Sequence, residues 1–388
     1  MRPIIVLPFA LVAAAGLALP ACSGASNTNG GFADTSSSSG GGSGSGSGSS
    51  GGGSGSGSSS GGVNNGDGGL LTGDGSSMQP GDAEAGVTVH TTVYAHTDDT
   101  LYTVDPMTEA ATMVGQFTGL PVVDGGSPAV TDLAVDGTGA VYVNTESAVY
   151  KATLPSGGTG PVSLSQIATI GASGVYFYAL AFAPAGAIDP MNEVLIGGDS
   201  KGNLWSIDPS GAATNLGGFG ADPFTSGNIF ELSGDVVFYI DPSTMKPTGL
   251  ATIRSCPSSG GSSKCSNDWL AGVNMTALMS AYTSKTPAAT LLGGIYGGSS
   301  SAAGPGTGFH DVFGLGAWGD ATSSKIFGFT RNYKTTMAPP TLITIDTTSG
   351  VGTPVPGASF SFTNGWSGAG VTTKITISVP PPPPPPAQ

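Results

Sequence analysis

Positive charge is scarce in this chain. Its 388 residues hold 11 Lys and Arg against 25 Asp and Glu, a formal net charge of −14. Phosphate backbones are repelled by that excess, so nucleic acid is excluded as a partner class. A charge-driven hold on an anionic membrane is disfavoured for the same reason. The acidity itself reads as solubility. Histidine is limited to His90, His96 and His310. No Cys-x-x-Cys or His-x-x-x-His occurs. The usual sequence signs of a zinc site are therefore missing. No stretch of helical period interrupts the pattern described next, so helices are not expected.

What the chain does have is a recurring strand. Asp199-Ser-Lys-Gly-Asn-Leu-Trp-Ser-Ile-Asp208 reads as a turn followed by a strand that stops at Asp208-Pro209. Leu101 to Asp105 and Leu342 to Asp346 repeat it closely; Val149 to Thr153 and Leu270 to Asn274 repeat it more loosely. Alternation with period two places every second side chain on one face of a sheet, and β-branched and aromatic residues suit that surface. Pro106 and Pro209 have no N–H for a ladder, so pairing ends there. Asp105, Asp208, Asn274 and Asp346 are read as turn residues that accept backbone N–H bonds rather than as calcium ligands.

The copies begin at positions 101, 149, 204, 270 and 342, a spacing of 48 to 72 residues. Four short strands per period of about 50 residues imply an all-β fold, a β-propeller of five blades. Asp241-Pro242 is treated as a turn inside the fourth unit; as a further repeat end it would make six. The first unit lacks an innermost strand, and Gly368 to Ile377 is left over at the other end. Pairing of these terminal strands would close the ring and leave no open edge. Inner strands carry small residues two apart, as in Ala179-Leu-Ala181, Gly314-Leu-Gly316 and Gly368-Ala-Gly370, which suits crowding at an axis.

Four segments follow from composition. Residues 1–22 form an export signal, with an apolar core from Ile4 to Leu19. Residues 23–86, built on a Gly/Ser tract from Ser36 to Gly62, form a disordered tether. Residues 87–379 form the propeller domain, and residues 380–388 a polyproline tail, stiff and solvated. The core of the leader ends in Leu19-Pro-Ala-Cys22, which resembles the lipobox of bacterial lipoproteins. That resemblance implies a lipid-bearing Cys22, with Ser23 after it favouring the outer membrane, so that the chain is held to the cell envelope by acyl groups. Cys256 and Cys265 are then the remaining pair, expected as a disulfide in an exported protein.

The repeat resembles those of extracellular quinoprotein-like and WD40-like propellers over roughly residues 90 to 378. Such folds host many activities, so the resemblance implies architecture only. No cofactor and no metal site are expected. The reading for function is a membrane-anchored extracytoplasmic binding or scaffold propeller whose ligand is a protein, a peptide or a glycan. One alternative is a glycan-active hydrolase or lyase at the channel mouth, using Asp132, His310 and Asp311, since His310-Asp311 is the one adjacent His–carboxylate pair. Another is a structural envelope protein.

Overall fold

The computed structural model describes residues 92–122, 128–258, 265–298, 304, 306–320, 323–331, 341–359 and 365–385. The leader with Cys22 and the tether lie outside the described residues. The chain begins with β1 (Val93–His96), β2 (Thr100–Val104) and β3 (Ala111–Thr118). A second unit holds β4 (Asp132–Val135), β5 (Val141–Asn144), β6 (Ala148–Thr153) and β7 (Val162–Thr169). A third holds β8 (Phe177–Ala183), β9 (Val194–Asp199), β10 (Asn203–Ile207) and β11 (Ala213–Gly218). The fourth holds β12 (Asn228–Asp241), β13 (Lys246–Pro257), β14 (Asp268–Val273), a helix α1 (Met275–Ser284) and β15 (Leu292–Ile295). Then come β16 (Val312–Gly319), β17 (Ser324–Thr330), β18 (Thr341–Ile345), β19 (Gly352–Ser359) and a final β20 (Gly368–Gly370).

Within each unit the strands pair antiparallel in chain order. β20 lies beside β1, with Tyr94 opposite Gly370 and His96 opposite Gly368, so the chain's last strand completes its first unit. The first and second units also join at their outer edges, where β3 and β7 pair in parallel through Phe117 and Val162. The inner strands β4, β8, β12, β16 and β20 pack each against the next and back to the first, which closes a β-propeller-like circle. All five copies of the recurring segment form the third strand of their unit.

The circle is tight at its centre. A side chain on Gly314 would meet the backbone of Gly368 at 2.7 Å, so β16 and β20 approach closely only because that position is glycine. Between units the space is filled by apolar side chains. Trp366 is fully buried and makes edge-on contacts, 5.3 Å between ring centroids, with Tyr102 of the first unit and Phe329 of the fifth. Tyr142 and Phe182 join the second and third units in the same way, at 5.1 Å. Such aromatic pairs add to the gain from area burial.

Three expectations need correction. A helix is present: α1 interrupts the fourth unit. Asn274 is its N-cap, its side chain accepting from Ala277 N at 3.0 Å. Only Leu278 and Ala281 are buried along it, so the sequence shows no apolar stripe that would mark a helix. The C-terminal strand is also shorter than Gly368 to Ile377, ending at Gly370. Beyond it the chain leaves the sheet and crosses the end of the circle where the inner strands finish. There Thr372 bridges to Val135 and Thr376 to Ile240, while Val371, Thr373, Ile375, Ile377 and Val379 are buried. Finally, the polyproline tail is not wholly solvated. Pro382 is half-buried, and its ring occupies the space above Gly272 and Gly294 of β14 and β15.

Trp366→Ala would empty a site shared by the first and fifth units. The expected loss is about 3–5 kcal/mol of stability, read as a lower urea midpoint. A loss below about 1 kcal/mol would show that this ring does not hold the two units together.

Candidate functional site

The turns repeat one local device. Asp105 Oδ1 accepts from the N–H groups of Met107 and Thr108 at 2.8 and 3.0 Å. Asp208 accepts from Ser210 N and Ala212 N, and Asp346 from Thr348 N and Ser349 N. Backbone N–H donors hold the Asp105 carboxyl below its ordinary range, and the Ser349 hydroxyl and N–H do so for Asp346. These carboxylates therefore hold hairpins.

At the axis the carboxyls do something else. Asp132 of β4 accepts from Leu180 N of β8 at 2.6 Å. Asp235 of β12 accepts from Leu315 N of β16 at 2.8 Å and also from Ala369 N of β20. The two carboxyls are hydrogen-bonded to each other, so one must carry a proton. Both are fully buried. Burial, reinforced for Asp132 by the neighbouring Asp235, holds both well above the ordinary range. One acid pair thus reaches all five inner strands. His96, also fully buried, has Nε2 3.9 Å from Asp132 Oδ1, while its Nδ1 lies 2.7 Å from the Thr97 carbonyl. Burial lowers His96 to about 4, so it stays neutral. Asp268 of β14 accepts from Ser233 Oγ and Val312 N, both at 2.6 Å, and burial pushes it up to about 7.

Above this layer the circle opens. A cavity of about 570 Å³ lies where the inner strands begin, within the ordinary size range of ligand pockets. Its wall comes from turns that lead into inner strands, carrying Thr131, Asp311 and Ser367, and from turns between second and third strands, carrying Glu146, Ser200 and Arg331. Arg331 grips Asp98 with both terminal nitrogens, at 2.7 and 3.0 Å, and Ser367 Oγ donates to the same carboxylate. Arg254 lies between Asp311 at 3.7 Å and Glu231 at 3.8 Å. Tyr178, on the rim, donates its hydroxyl to Glu146 at 2.7 Å.

The irregular fourth unit builds one wall. Past a bulge between Leu232 and Val236, at the end away from their connecting turn, β12 and β13 continue as a two-stranded ribbon of five residue pairs, from Leu232 opposite Ile253 to Asn228 opposite Pro257. Cys256, opposite Ile229, forms a disulfide with Cys265, as expected from the sequence. Glu231 lies within 4.8 Å of both sulfurs, which are bonded to each other and offer no thiolate to a metal.

The trio read from the sequence is not assembled. Asp132 is sealed inside, below the cavity, and holds strands together. Asp311 lines the mouth with φ 54°, a left-handed conformation that Asp tolerates, and pairs with Arg254. His310 is exposed and does not line the cavity. Sequence reasoning missed His96, Asp235, Asp268 and the Asp98–Arg331 and Arg254–Glu231 pairs. One signal was available: Asp132-Leu-Ala-Val135 and Asp235-Val-Val-Phe238 both place an Asp at the head of an apolar run.

The sequence matches no protein-family model, and no curated protein matches it. Among solved structures, a Bacteroides caccae protein of unknown function is similar over 72% of this chain and 98% of its own, with 9% identity and a TM-score of 0.33. A protein of unknown function from Bacteroides thetaiotaomicron is similar over 74% of this chain and 63% of its own, with 11% identity and a TM-score of 0.33. The Dos1 propeller is similar over 72% of this chain and 69% of its own, with 10% identity and a TM-score of 0.28.

Two outcomes are expected. A carboxyl whose folded pKa is raised adds stability that is complete below its unfolded value, near 3.8, and is lost as pH rises through the folded value. His96, lowered by burial, opposes this below 6.5, but as one group against three. The domain should therefore melt higher at pH 5 than at pH 8, and Asp235→Asn should reduce that difference. A melting temperature that rises from pH 5 to pH 8 contradicts the protonated bridge. Replacing Cys256 and Cys265 together by Ser should lower stability by about 2–3 kcal/mol, the value of closing so short a loop, in chemical denaturation.

Proposed function

We propose that this chain is a lipid-anchored extracytoplasmic five-bladed β-propeller that captures a ligand in the mouth where its inner strands begin. The observation that carries the reading is the asymmetry of the circle. One end opens into a cavity lined by paired charges and an aromatic rim, while the segment from Val371 to Val379 crosses the other. A ligand can therefore approach the axis from one side. Five four-stranded units, with the last strand completing the first, support the blade count. The carboxylates that line the cavity are engaged by arginines, a tyrosine, a serine or turn donors. This favours binding over catalysis.

Anchoring rests on Leu19-Pro-Ala-Cys22, and the tether of residues 23–86 gives the propeller reach from the membrane. In a bacterial host fed a labelled fatty acid, the wild-type chain should take up label and fractionate with the outer membrane. Cys22→Ser should be unlabelled and released from it. Identical fractionation and absence of label in both would remove the anchor from this reading.

A further inference from the structure

We infer that the ligand of the mouth is a neutral glycan, recognised through its hydroxyl groups. The inference rests on reading the mouth as a ligand site and names the class of that ligand. Around the cavity, donors and acceptors stand side by side: Arg331 with Asp98 on one wall, Arg254 with Glu231 and Asp311 on another. Arg331 and Asp98 offset one another, and Arg254 offsets one of the two carboxylates beside it. A carboxylate or phosphate ligand could use the guanidiniums but would face their acidic partners, with buried Asp268 beneath Ser233 of the floor. An amine could use the carboxylates, but each is already engaged: Asp98, Glu231 and Asp311 by guanidiniums, Glu146 by the Tyr178 hydroxyl and Asp199 by turn N–H groups. A hydroxyl both donates and accepts, so it alone finds a partner on both members of every pair.

The rim adds the second half of such a site. Tyr178 is partly exposed, and its hydroxyl is fixed by Glu146 at 2.7 Å. Its ring is thus held in place before any ligand arrives, and it offers an apolar face to the C–H side of a sugar ring at little cost in side-chain entropy. Phe313 contributes a further apolar surface within the same cavity. The volume of about 570 Å³ accommodates a short oligosaccharide or the end of a longer one.

The test is calorimetric titration of the full chain with three probe sets: neutral gluco-, manno- and xylo-oligosaccharides, oligouronates, and spermidine. The expected result is binding of at least one neutral set and of neither charged set. That binding should weaken about 10-fold or more in Tyr178→Ala, and similarly in Arg254→Lys, which keeps the charge but loses the planar fork. Melting curves matching wild type establish that each variant is folded; Tyr178→Phe is the milder replacement should Tyr178→Ala unfold. Binding of oligouronates or spermidine at the mouth, with neutral sugars inert, overturns the glycan assignment while leaving the mouth a ligand site. If no probe binds, or if neutral sugars bind with affinity indifferent to both substitutions, the assignment and the reading of the mouth fall together.

Discussion

The buried contact of Asp132 with Asp235, which burial keeps protonated well above the ordinary carboxylate range, is the constraint on which the centre of this molecule depends. Each carboxyl accepts a backbone N–H from a neighbouring inner strand, and Asp235 accepts from two. Two side chains therefore satisfy donors on β8, β16 and β20 while standing on β4 and β12. In a water-poor axis an unpaired N–H costs about 1–3 kcal/mol, and two ionised carboxylates in contact would cost far more. Protonation within the pair avoids the second cost, and the accepted N–H bonds avoid the first. It also explains why the centre can be polar without being a channel.

Around that hub the stabilising contacts are short-range and repetitive. In the first, third and fifth units an Asp side chain closes the outer hairpin from within, so those outer strands turn without help from the rest of the chain. Apolar layers between units then fix their relative positions, and Trp366 is the point where the two ends of the chain meet. Closure by β20 leaves the first unit with a complete set of strands, although the residues that form it are separated by nearly the whole domain.

The mouth owes its shape to departures from the repeat. The long β12–β13 hairpin raises a wall that the other units lack, and the Cys256–Cys265 disulfide ties its end. The C-terminal segment, instead of continuing as a strand, crosses the opposite end of the circle. A regular array would have two equivalent faces; these irregularities make them different, and the difference is what confines a ligand to one side.

By itself the sequence determined the strand grammar. Leu101, Val149, Leu204, Leu270 and Leu342 each head a third strand because period-two alternation between turn residues is a local property, readable in a window of ten. The turn roles of Asp105, Asp208 and Asp346 were legible for the same reason, and so was the need of the first unit for a strand from elsewhere. α1 was not legible, since a helix with two buried residues leaves almost no periodic trace. Nor was the fate of residues 371–379, whose alternation is that of a strand but whose neighbours are the ends of β4, β12 and β16. Only the tertiary structure decided that Asp132 and Asp235 meet at a buried axis, that His96 is sealed beside them, and that Arg254 and Arg331 face one cavity. These residues lie up to hundreds of positions apart, and their chemistry comes from a common burial that no local pattern encodes.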